Sequence, residues 1–121
     1  MTVTSAVSEE LQYFRTAERP ALEFWLLDAD GALLDFSSGY EFELKLGTAA
    51  GEAAVFTKTD GITGAAGSGT ELTGAPNVSI EFAPDELADL KAMTYLWQLR
   101  ATTNGRDRFY QGWLQLLDVL T

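Results

Sequence analysis

The chain has 121 residues, a one-domain length, and its 46% hydrophobic and 21% charged residues are the balance of a globular protein rather than a disordered one. Lys and Arg total 8 against 18 Asp and Glu, so the net charge is −10, a field that repels nucleic acid and anionic lipid and makes neither an expected partner. No Cys and no His are present, which excludes disulfides, thiolate nucleophiles, imidazole bases and nearly all zinc, copper and haem sites; no cofactor is expected.

The first eight residues, Met1 to Ser8, carry neither a basic start nor an apolar stretch, so no signal peptide is expected. The longest apolar runs, such as Phe24-Trp25-Leu26-Leu27, fall far short of the roughly 20 residues that cross a membrane as a helix.

Short apolar runs separated by turn residues point to an antiparallel sandwich or barrel. Glu10 to Thr16 is the first expected strand. Pro20 opens the next, in which Leu22, Phe24 and Leu26 share a face, and Asp28-Ala29-Asp30-Gly31 reads as a turn. Gly39 to Gly47 alternates cleanly: Tyr40, Phe42, Leu44 and Leu46 face one way, and Glu41, Glu43 and Lys45 the other. Gly51 to Lys58 is a weaker strand, with Ala53, Val55 and Thr57 alternating against Ala54 and Phe56.

Thr59 to Ala75 is rich in Gly, Thr, Ser and Ala and reads as a long polar loop, with room for one short strand near Gly61 to Thr63. Val78, Ile80 and Phe82 then alternate inward. Pro84 followed by two acids, with Leu87 and Leu90 three apart, predicts a short corner helix. Met93 to Thr102 is a central strand with Tyr95, Trp97 and Leu99 inward. Asn104-Gly105 is a hairpin turn, and Asp107 to Leu120 the closing strand. The expected fold is all-β: an immunoglobulin-like antiparallel β-sandwich of about seven strands with one short corner helix. Residues 1–121 form its single domain, with a flexible N-terminal arm at 1–9 and the polar loop at 59–75. Tyr95 falls where such folds place a corner tyrosine.

Tyr13-Phe14-Arg15, Pro20-Ala21-Leu22-Glu23-Phe24, Leu27-Asp28-Ala29-Asp30-Gly31 and Phe36-Ser37-Ser38-Gly39-Tyr40-Glu41-Phe42 stand in an order that resembles the small immunoglobulin-like domain at the N-terminus of phage baseplate upper proteins. Val78 to Leu87, Thr94 to Leu99 and Tyr110 to Leu116 resemble that domain's later strand, corner helix and closing strands, so the likeness runs from Glu10 to Leu120. The family's turn before the third strand usually reads Leu-Thr-Gly where this chain has Phe36-Ser37-Ser38-Gly39, and its members continue into a trimeric stalk. The resemblance implies a structural virion protein of a tailed bacteriophage, in a tail or baseplate position, with no catalytic residues. Its implied partners are other phage structural proteins and copies of itself in a homo-oligomer, within a virion assembled in the host cytoplasm. A capsid decoration protein is the neighbouring alternative, and a host-receptor or carbohydrate-binding adhesin is a further one.

No convergent catalytic set is visible, and the expectation is a non-enzyme. Asp28, Asp30 and Asp35 cluster, but Ala32, Leu33 and Leu34 occupy places where a calcium loop needs oxygens, and Asp-Gly serves a turn for backbone reasons. Asp85, Glu86 and Asp89 read as a solvated helix start rather than a paired acid and base. The glycines from Gly61 to Gly69 lack the Gly-Lys-Ser/Thr ending of a phosphate loop.

The closing strand carries large apolar groups on both sides. If Tyr110, Gly112, Leu114 and Leu116 point inward, Phe109, Trp113, Leu117 and Val119 point outward, and Trp25 is likewise out of phase in its strand. Either a terminal arm or the corner helix covers that second face, or it is a subunit interface formed by Trp25, Phe109, Trp113, Leu117 and Val119.

Overall fold

The computed structural model describes residues 2–3, 10–14, 21–27, 30–67 and 75–117. Of the sequence expectations, Asp28 in the first turn, the centre of the polar loop and Val119 lie outside them. The described residues form nine strands: β1 (Thr2–Val3), β2 (Glu10–Phe14), β3 (Leu22–Leu26), β4 (Glu41–Gly47), β5 (Phe56–Lys58), β6 (Ile62–Gly64), β7 (Val78–Ile80), β8 (Thr94–Thr103) and β9 (Arg106–Leu117). One sheet runs β1-β3-β7-β6 and the other β2-β9-β8-β4-β5. Within them β3-β7-β6 and β9-β8-β4-β5 are antiparallel, while β1 and β2 add in parallel to β3 and β9. Inward residues of both sheets share one core, so the architecture is a β-sandwich.

The core follows from the period-two pattern. Phe24 and Leu26 from β3 and Val78 and Ile80 from β7 meet Leu44, Leu46, Trp97, Leu99, Tyr110, Leu114 and Leu116 from the second sheet. The Phe24 and Trp97 rings bridge the layers at 5.2 Å between centroids. Trp97 stands in a row with Leu46 and Gly112, and a β-carbon at position 112 would lie 2.9 Å from the Trp97 indole nitrogen. Glycine is therefore the residue that lets the large ring lie flat at that place. The indole N–H is buried with no partner among the described residues, at a cost of about 1–3 kcal/mol.

At one end Asn104 and Gly105 have φ of 50° and 74°, the left-handed pair that a two-residue hairpin between β8 and β9 needs. At the other end of β8, the Tyr95 hydroxyl donates to the Lys91 carbonyl at 2.8 Å. The corner between them is not a helix. Glu86, Ala88 and Leu90 donate to the carbonyls three residues back, skipping alternate residues, so a run of four-back bonds never starts. Leu87 is still fully buried, so the sequence pattern places the right side chain inside through turns.

A buried polar knot ties β3 to β7. In register, Phe24 faces Val78, which carries Leu26 to Pro76, a residue without an N–H to give. Asn77 substitutes its side chain: Nδ2 donates to the carbonyls of Leu26 (2.9 Å) and Leu34 (2.8 Å), and Oδ1 accepts from Leu26 N–H (2.8 Å). The short strand expected near Gly61 to Thr63 in the polar stretch is β6. Just past it, residues 34–36 press so close that a β-carbon at Gly64 or Gly67 would collide with the Phe36 or Leu34 carbonyl. These glycines serve close backbone approach.

The weaker strand is shorter than its pattern, and of its two sides the one with Phe56 and Lys58 faces inward. Only Phe56–Lys58 pairs, and Val55 is exposed while Lys58 is buried. Lys58 Nζ reaches Glu86 Oε2 at 2.7 Å and Asp60 Oδ1 at 3.3 Å and lies 5.2 Å from the Phe82 ring centroid. Glu86 also accepts the Ala83 N–H at 2.9 Å, so this carboxylate holds the corner to β5 rather than standing free in water.

Asn77→Ala leaves the Leu26 N–H and the Leu34 carbonyl short of that partner, while the Leu26 carbonyl keeps the Leu34 N–H at 3.1 Å, and urea titration should show a loss of about 1–3 kcal/mol. Gly112→Val drives a side chain into Trp97 and should cost at least about 1–3 kcal/mol, read as a lower thermal midpoint with unchanged β-sheet circular dichroism.

Candidate interaction face

Strand alternation sends the remaining large side chains outward. On the five-stranded sheet the outer face carries Glu41, Glu43 and Lys45 from β4, Leu96, Gln98 and Arg100 from β8, and Asp107, Phe109, Gln111, Trp113, Gln115 and Leu117 from β9. Phe109 is 48% and Trp113 41% exposed, and Leu117 is half-buried. Trp113 faces Leu96 across the β8–β9 pair, and Phe109 faces Arg100.

Of the interface residues expected from sequence, the structure therefore gathers Phe109, Trp113 and Leu117 on one strand and one face. Trp25 belongs to β3, so it lies on the outer side of the other sheet, half-buried, in register with Thr2 of β1. Five residues expected as a set thus resolve into three on one face, one on the opposite side and Val119 outside the described residues. Leu96 is the member that sequence alone missed. Its inward neighbours Tyr95 and Trp97 drew attention from it, and only the register shows it beside Trp113.

The charges in the middle of this face are locally balanced, and Glu41 and Asp107 lie toward its hairpin end. Glu43 Oε1 sits 3.3 Å from Arg100 and 3.6 Å from Lys45, so one carboxylate lies between two cations. Such exposed pairs add little to stability. Their consequence is distribution: the middle of the face bears glutamines, apolar groups and a compensated carboxylate, although the chain carries −10 overall. Beside Leu96 the sheet drops to bare Gly47. There a hollow of about 330 Å³ opens, floored by Gly47, Leu96, Gln98 and Gln111 and walled by residues 49–54.

Two other places bring polar groups together. Tyr40 packs edge-on against buried Phe36 (4.8 Å) and stacks near Phe42 (6.2 Å), so this aromatic trio closes the end of the core. Next to it a hollow of about 370 Å³ is lined by Tyr40, Thr103, Asn104, Arg106 and Arg108. Asp35, fully exposed, accepts the Ser37 N–H at 2.9 Å, and its bonds to Ser37 hold its carboxyl below the usual range. Among the described residues no group of three Asp or Glu side chains is placed to hold a metal ion, and no helix is long and apolar enough to cross a membrane.

No family model, no curated protein and no solved structure matches the chain.

Among the described residues, the core group with a displaced titration is Tyr110. Burial pushes its phenol above the ordinary value of 10, while the Arg108 charge and its hydrogen bond pull the other way. A raised folded pKa means that this contribution to stability is complete below pH 10 and disappears as pH climbs through the folded value. Tyrosine absorbance at 295 nm should therefore show a late alkaline step that Tyr110→Phe removes and Arg108→Gln moves to higher pH.

Proposed function

We propose that this chain is a non-enzymatic, immunoglobulin-like module that acts by protein–protein packing, as a structural subunit of a tailed-phage particle in its tail or baseplate. The observation that carries the packing role is the outer face of the five-stranded sheet, where Phe109 and the Leu96–Trp113 pair share one side, with glutamines and the compensated Glu43 between them. Aromatic enrichment with few uncompensated charges is the composition of an interface core. The phage assignment rests on the sequence resemblance to baseplate upper proteins.

The immunoglobulin-like character draws support from three features. The strand order β3-β7-β6 against β9-β8-β4-β5 corresponds to strands B, E and D packed on G, F, C and C′. The parallel β2–β9 pair adds an N-terminal strand beside the last one. Tyr95, at the start of β8, bonds its hydroxyl to a backbone carbonyl four residues upstream, as a corner tyrosine does. In that frame Trp97 occupies the position, two residues past the tyrosine, where antibody domains carry their second cysteine. The Phe24–Trp97 ring contact then stands in place of the inter-sheet disulfide.

Trp113→Asp tests the packing role. The side chain lies outside the core, so thermal unfolding should move by no more than about 1 kcal/mol, while the variant should be missing from purified particles viewed by electron microscopy. Normal incorporation of the folded variant, or particles that never contain the wild-type protein, overturns the proposal.

A further inference from the structure

The outer face is complementary to itself. Gly47, Leu96 and Trp113 stand in one row across β4, β8 and β9, all pointing outward. The row rises from a hollow at Gly47, through a middle-sized Leu96, to the protruding Trp113. The next row is Lys45, Gln98 and Gln111, and the one after it Glu43, Arg100 and Phe109.

We propose that the occupant of this face is a second copy of the chain, related by a two-fold axis that runs along β8 between the two faces. This rests on the packing role proposed above and names its partner. Such an axis lays β9 of each copy over β4 of the other and leaves rows in step, so each Trp113 enters the other copy's hollow at Gly47. Leu96 meets Leu96 and Gln98 meets Gln98 on the axis, and Lys45 faces Gln111. An isologous contact needs this reciprocity of knob and hollow. The alternative axis, across the strands, stacks Trp113 on Trp113 and leaves both hollows empty.

Charge restricts where this pair can form. Two copies at −10 each repel, and the axis lays Glu41 of each copy over Asp107 of the other, so the contact has to centre on the rows of Trp113 and Gln98, beside which Glu43 is held by Arg100 and Lys45. Arg100 faces its own copy near the axis, and the Glu43 carboxylate at 3.3 Å offsets that approach. Raising salt should strengthen the pair, because screening acts on the surplus acids elsewhere.

The absence of cysteine makes the test free of background. Gln98→Cys, Lys45→Cys and Gln111→Cys proteins are treated with a short bis-maleimide, since facing sheets lie about 10 Å apart. Gln98→Cys should link to itself, and Lys45→Cys should link to Gln111→Cys in a mixture more than to itself. Self-linking of Lys45→Cys with no mixed product overturns the axis. Gly47→Leu fills the hollow, and its β-carbon would meet only carbonyl oxygens at 3.9 Å, so the fold should persist while self-association weakens about tenfold or more. A wild-type protein that sediments as a monomer at high concentration overturns the pairing. That result leaves the packing role to the separate particle test with Trp113→Asp.

Discussion

The sandwich depends on one contact in which a large ring is admitted by a missing side chain. Trp97 lies on the bare backbone of Gly112 and reaches Phe24 in the opposite layer. Without cysteines, no covalent tie joins the sheets, so their spacing is set by rings and branched chains alone. The unpartnered indole N–H is the cost of filling that place with Trp, and the area the ring removes from water exceeds it.

Around that contact buried polar side chains are few among the described residues, and Asn77 is matched to a local fault in the ladder. Pro76 breaks the β3–β7 pairing where a donor is needed, and the amide of Asn77 repairs it from one residue away. Gly64 and Gly67 give the chain a flat surface on which residues 34–36 cross. What looks like a loose glycine-rich segment in composition is, in its described part, a fitted one.

Strand periodicity was legible from sequence wherever neighbours alone decide it. Tyr40 to Leu46, Val78 to Phe82 and Tyr95 to Leu99 alternate because one side of each strand is wet, and Asn104-Gly105 forces its own turn. Non-local pairings were not legible. A lysine following Thr57 reads as solvated until Glu86, twenty-eight residues on, is found against it. The corner misled for a related reason: Pro84, the acids and the Leu87–Leu90 spacing suit three-residue turns as well as a helix. Outward Phe109 and Trp113 followed from parity, whereas the separation of Trp25 and the part played by Gly47 needed the sheet order.

The buried ammonium of Lys58 has a further consequence for how copies of this protein behave when crowded. It points inward from β5, the outermost strand on its side of the sheet, and β5 is only three residues long. Sliding that strand by one residue exchanges the inner and outer sets and tears the charge from Glu86, so a foreign backbone cannot recruit the margin by shifting it. That margin of the five-stranded sheet is thus guarded against growing sideways, while the broad flank beside it stays open.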